Sequence, residues 1–308
     1  MIKLSKIILP ILLVAVVLSS CTANNKGAVN VTKYDAKEIE DYGQKVDVNG
    51  KKMNIYVTGE GKIPLVIFPG QGEFSARYAY KNMLDILEKS YKLYIVEPLG
   101  YGLSDEADTP RTIENITEEI HTALKKLDLD KYYLDAHSLG GMYALNYSKE
   151  YPNEVKGFIG IDTSTPNMEG GLETQDQDGA GDWAQTIPDV DNKINEQYFS
   201  IGKKIANNDT FKDEAKHLAE NLKKMENVKF SKGMPVKYFL ASETSEGIKL
   251  RKEIFPDLKD WDKQHIDLSE DPKDVSIEEL EGDHLLYHTQ YERLAKGIAD
   301  FIEKNESK

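Results

Sequence analysis

The chain is constrained most by short apolar runs that alternate with helix-length stretches. Ile63–Phe68, I-P-L-V-I-F, is continuously apolar, and Tyr91–Glu97 and Val155–Ile161 read as further buried strands. A strand buried on both faces belongs to a parallel sheet with helices covering each side. Between the strands, residues 76–90 space Tyr80, Met83, Leu84 and Leu87 at helical intervals. Residues 112–127 form a second helix, with Thr112 as its cap and acids toward its N-terminal half. Residues 43–58 form a hairpin, because Asn49-Gly50 suits a type I′ turn between alternating runs. The rhythm resumes late, with strands at 235–241 and 274–278 and a closing helix over 284–303. The expected class is therefore α/β, with a mostly parallel central sheet flanked by helices. Residues 163–231 break the rhythm. An acidic, glycine-rich loop there precedes helical stretches at 193–206 and 211–227, which reads as an inserted helical cap.

The stretch 132–141, Y-Y-L-D-A-H-S-L-G-G, carries the chemistry. A β-rich run ends at Ala136-His137-Ser138-Leu139-Gly140, and a helical run starts at Met142. This is the G-x-S-x-G elbow with alanine in place of the first glycine. Small residues two before and two after the serine let strand and helix approach. The hydroxyl then stands free at the sheet edge, and the Leu139 N–H can face a developing oxyanion.

Residues 1–20 stand apart from the fold. Lys3 and Lys6 precede the apolar run 7–18, which is shorter than the ~20 residues of a membrane span and fits a secretory signal. Leu18-Ser19-Ser20-Cys21 resembles a bacterial lipobox, in which the cysteine is diacylated and becomes the mature N-terminus. Cys21 is the only cysteine, so no intramolecular disulfide is available. The expectation is a lipoprotein held at the cell membrane on its extracytoplasmic face. Residues 22–42 are polar and aperiodic and read as a tether with one short helical turn. Removing residues 1–20 takes away two lysines, so the net charge falls from −14 to −16. That balance argues against nucleic-acid or anionic-lipid surface binding.

From about Val46 to Ile302 the sequence resembles the α/β-hydrolase family, in its capped, lipase- and aminopeptidase-like branch. The resemblance rests on the A-H-S-L-G-G elbow, F-P-G-Q-G after the third strand, E-P-L-G-Y-G-L-S-D after the fourth, and G-D-H before the last helix. It implies a Ser-His-acid triad with Ser138 as nucleophile and His284 as base. Serine at that position argues against the aspartate-nucleophile dehalogenase and epoxide hydrolase chemistries. The family's usual acid position, after 235–241, holds Ala241-Ser242-Glu243-Thr244 and no aspartate. Asp162, after the preceding core strand, is favoured as the acid, with Glu243 as the alternative. The resemblance places the oxyanion donors at the backbone of Gln71 and Leu139, with Pro69 where the family carries histidine.

The other histidines read as structural: His121 and His217 in helices, His265 in a polar linker, His137 as a wall of the site with its ring pointing away from Ser138. His284 and His288 are spaced for a metal pair, yet no third ligand fits, so no metal and no cofactor are expected. The acidic loop lacks EF-hand spacing. Gly100-Tyr101-Gly102 lacks a third glycine and is followed by acids, so it is not a dinucleotide loop. Ser104 lacks a closing glycine and is not a second nucleophile. The implied function is hydrolysis of a small carboxylic ester, amide or short peptide. The alternatives are an aminopeptidase of the proline iminopeptidase type and a degenerate hydrolase fold serving as a binding lipoprotein.

Overall fold

The computed structural model describes residues 27–169, 183–206 and 208–307. The signal segment, Cys21 and most of the acidic cap loop lie outside them. Strands β1 (Ala28–Asn30), β2 (Gln44–Val48), β3 (Lys51–Thr58), β4 (Ile63–Phe68) and β5 (Tyr91–Glu97) come first. They are followed by β6 (Tyr132–His137), β7 (Val155–Ile161), β8 (Trp183–Gln185), β9 (Val236–Ala241) and β10 (Val275–Leu280). Eight of them form one sheet in the order β10-β9-β7-β6-β4-β5-β3-β2. Only the pairs β2–β3 and β3–β5 are antiparallel in it. The β2–β3 turn uses Asn49 and Gly50, both at positive φ (54° and 90°), as a type I′ turn requires.

Continuous apolar strands serve two cores. Leu65 and Ile67 of β4 face one cluster with Leu93, Ile95, Ile159 and Phe239. Val66 and Phe68 face the other, with Val96, Leu134, Ala136 and Phe158. The first is covered by helices α1 (Ala76–Ala79), α2 (Lys81–Leu87) and α10 (Tyr291–Glu306), the second by α3 (Ile113–Lys126) and α4 (Gly140–Glu150). Thr112 Oγ1 accepts from the Asn115 N–H and caps α3 as the sequence predicts. The helix expected over 76–90 is broken at Tyr80, whose φ/ψ of −95°/10° leaves the helical region. The cap holds α5 (Asn192–Ile205) and α6 (Asp209–Met225), started by the side chains of Asp191 and Asn208.

Three stretches differ from their sequence reading. Residues 242–273 contain α7 (Ser242–Arg251) and α8 (Trp261–Ile266), and His265, expected in a polar linker, is fully buried in α8. The closing helix begins later than 284, as α9 (Leu286–Thr289) followed by α10, leaving His284 on the preceding loop. The described part of the expected tether, 27–42, is packed. β1 pairs with β8, and Val31 in the short helical turn Val31–Lys33 is fully buried. The Lys37 and Glu40 N–H groups donate to Ser200 Oγ and Gln197 Oε1 of α5. Aperiodicity hid this segment, because it gains its order from the cap and not from any pattern of its own.

Candidate active site

Ser138 follows β6 with φ of 51°, in the left-handed region that a non-glycine residue adopts only when its surroundings impose it. The Ser138 N–H donates to Ile161 O at 3.3 Å, and Ser138 O accepts from the Ser164 N–H at 2.9 Å. Gly140 explains the spacing of the motif: a Cβ there would run into the backbone oxygens of Phe68 and Pro69. Only glycine lets α4 start this close to the end of β4. Ser138 itself stays half-buried, open to the space above the sheet.

Asp162 follows β7, the neighbour of β6, and His137 is in register with Ile161. Ser138 and Asp162 thus occupy adjacent strand ends, roughly 4.8 Å apart in the hydrogen-bonding direction. Asp162 also has positive φ (40°) and no exposure. Its Oδ2 accepts from His284 Nδ1 at 2.7 Å and from Thr244 Oγ1 at 2.6 Å. Its Oδ1 accepts from Trp261 Nε1 at 2.9 Å and from the Ala241 N–H at 3.0 Å. Burial alone would raise the pKa, but the bond and charge of His284, with Thr244 and Trp261, hold it below the ordinary carboxylate value. Glu243, the alternative acid, is exposed on the first turn of α7, its N–H donating to Gly282 O. Thr244, which stands at the family's usual acid position, is a donor to Asp162. Trp261 was illegible in sequence, since a tryptophan in a short polar helix carries no signal of its partner.

His284 is half-exposed, and with Nδ1 given to Asp162 its Nε2 remains available. His137 lines the site beside His284. Its ring centroid lies 4.5 Å from that of His284, and its Nε2–H donates to His284 O at 3.0 Å. Burial and the neighbouring His284 hold His137 neutral, well below the ordinary histidine range. The turn after β4 lies over this pair: a Cβ on Gly70 would fall 3.0 Å from Ser138 Cβ and 2.7 Å from His137 Nδ1. Gln71 is exposed on that turn. Leu139 occupies the N-cap position of α4, so its N–H has no intrahelical acceptor.

Residues 63–217 match the family model of the alpha/beta hydrolase fold. The chain belongs to the α/β-hydrolase family. Among curated relatives, it is 33% identical over 135 residues to "Uncharacterized protein YbdG" of Bacillus subtilis, covering 44% of this chain and 42% of that one. It is 30% identical over 117 residues to a pimeloyl-[acyl-carrier protein] methyl ester esterase of Legionella pneumophila, covering 38% and 44% respectively. The matches thus span less than half the length of these relatives. The crystal structure of Cfl2 from Burkholderia cenocepacia superposes over 86% of this chain and 99% of its own, with a TM-score of 0.64 at 15% identity.

The other motifs of this α/β hydrolase are structural. Gly100–Asp105 wraps the buried Glu97, whose carboxylate accepts from Tyr42 Oη, Ser75 Oγ, Asn54 Nδ2 and the Leu103 N–H. Ser104 Oγ donates to Glu97 O and accepts from the Asn54 N–H. His265 is fixed between Trp261 O (2.8 Å) and Thr163 O (2.9 Å). His288 is buried, which pushes its pKa down to about 4. Among the described residues no three His, Cys, Asp or Glu side chains cluster as a metal site. Sequence reasoning missed two buried acids. Asp135, on β6, has no side-chain partner among the described residues, and burial, only partly opposed by the Ala136 N–H, pushes its pKa up to about 8. Glu73, two residues after Gln71, is bonded by Tyr198 and Tyr287.

Proposed function

We propose that the chain is a serine hydrolase acting on a small carboxylic ester or amide, with Ser138, His284 and Asp162 as its triad. One observation carries this reading: His284 Nδ1 donates to the fully buried Asp162 at 2.7 Å, on the strand end beside the strained Ser138. With Nδ1–H fixed on Asp162, His284 Nε2 takes the Ser138 proton as Oγ attacks the carbonyl. The N–H groups of Leu139 and Gln71 hold the oxyanion. Collapse returns the proton from His284 to the departing alcohol or amine. Water then repeats the sequence on the acyl-enzyme, with His284 again the base. The esterase among the relatives supports ester substrates. The chain's first residues support membrane attachment through a lipidated Cys21 on the extracytoplasmic face.

The proline iminopeptidase-like reading requires a carboxylate in the cap for the substrate's amine. Glu214 of α6 is buried there, but it accepts from the Tyr101 and Tyr143 hydroxyls. A panel of p-nitrophenyl esters against Pro- and Ala-nitroanilides decides between the two. Ester turnover that vanishes in Ser138→Ala is expected. Exclusive nitroanilide turnover overturns the ester reading, and no turnover of any substrate in the panel counts against both. Attachment is tested by detergent phase partition: the full chain enters the detergent phase, and Cys21→Ala stays in the aqueous one.

A further inference from the structure

We propose that Glu73 is the positioning residue that ties the oxyanion turn to the cap and to the loop bearing His284. This deepens the serine-hydrolase reading and rests on it. Glu73 is 7% exposed. Its Oε1 accepts from the Tyr198 hydroxyl on cap helix α5 at 2.6 Å. Its Oε2 accepts from the Tyr287 hydroxyl on α9, three residues after His284, at 2.9 Å. The N–H groups of Phe74 and Ser75 face the same carboxylate. Tyr80, before α2, stands near enough to feel its charge and packs 4.4 Å from Tyr287, centroid to centroid. Tyr287 in turn meets His137 edge-on at 4.9 Å, and His137 holds His284 O. One carboxylate therefore joins the turn carrying Gln71, the cap and the base.

An ionised carboxylate accepts from both tyrosine hydroxyls at once, one on each oxygen. Protonation turns one acceptor site into a donor and weakens the hold on the cap or on the loop bearing His284. Burial pushes the pKa of Glu73 up to about 7, against the pull of Tyr198, Tyr287 and the two N–H groups. Full reactivity of Ser138 therefore requires Glu73 in its ionised form.

The test is the pH dependence of the rate at which a fluorophosphonate labels Ser138 in the full chain. In the wild-type protein the rate relative to that of Glu73→Gln should fall about tenfold as pH drops through about 7, where Glu73 takes up its proton. Glu73→Gln should lack that step and label about tenfold more slowly at pH 8. Tyr198→Phe and Tyr287→Phe keep the carboxylate and remove one donor each. Each should move one break of the profile upward by about one unit, which keeps the test alive if Glu73→Gln fails to fold. Wild-type and Glu73→Gln profiles of the same shape overturn the assignment, as do unmoved breaks in both tyrosine variants. A wild-type protein unlabelled at every pH overturns the hydrolase reading itself.

Discussion

Asp162 carries four hydrogen bonds on two oxygens, and only one of them comes from the base. The other three fix the carboxylate before His284 arrives, so its position does not depend on substrate. Asp162→Asn should lower kcat by about 10⁴, because the amide favours the wrong His284 tautomer, while Glu243→Gln on the exposed turn should leave kcat within about twofold. Steady-state kinetics on one p-nitrophenyl ester checks both, and the reverse pattern would reassign the acid. Trp261→Phe removes one neutral donor and should cost about fivefold in kcat, equivalent to about 1 kcal/mol. The depressed pKa of Asp162 has a stability consequence. Its contribution is present above the unfolded carboxylate value and is lost as pH falls through the lower folded value.

The elbow and its flanking strands were legible in sequence because each is local. β4, β5 and β7 begin and end where their apolar runs do. Gly140 is required by one close approach that the motif itself encodes. What sequence could not convey is β6 carrying at its centre a buried acid with no side-chain partner among the described residues. Asp135 sits in the pattern of a buried strand, and composition cannot say whether such a group finds a partner. Its raised pKa sets the sign of its effect. The cost of ionising it in the fold accumulates between about pH 4 and about pH 8, so stability is lost as pH rises through that window. Asp135→Val puts a β-branched residue suited to a strand at this position and removes the buried carboxyl. Thermal melts should show it gaining about 1–3 kcal/mol at pH 9 relative to wild type, and less at pH 5. An equal loss at both pH values would mean that Asp135 has a stabilising partner.

Across the whole molecule, the N-terminal segment and the cap are one assembly. Residues 27–42 thread along α5, and Val31 packs where Gly202 meets Phe74, next to Glu73 and the oxyanion turn. Val31→Asp buries a charge there and should lower Tm by several degrees or more. Limited proteolysis should then cut first within the cap; an unchanged melt and an unchanged cleavage pattern would contradict the packed strap. The mostly parallel sheet, its cover of helices on both faces and the cap's helices follow from periodicity in the chain. The strap, α7 and α8 do not, because their order comes from partners far away in sequence: Val31 against Gly202, Thr244 and Trp261 against Asp162. For the same reason sequence left two candidates for the acid behind His284, and only the fold shows that Asp162, and not Glu243, is bonded to it. The central claim, that Ser138 is an activated nucleophile, is tested most directly by mapping the fluorophosphonate adduct on the intact protein by mass spectrometry. One adduct at Ser138, abolished in His284→Gln, is the predicted result; a protein that stays folded and unmodified, or is modified at another residue, would contradict it.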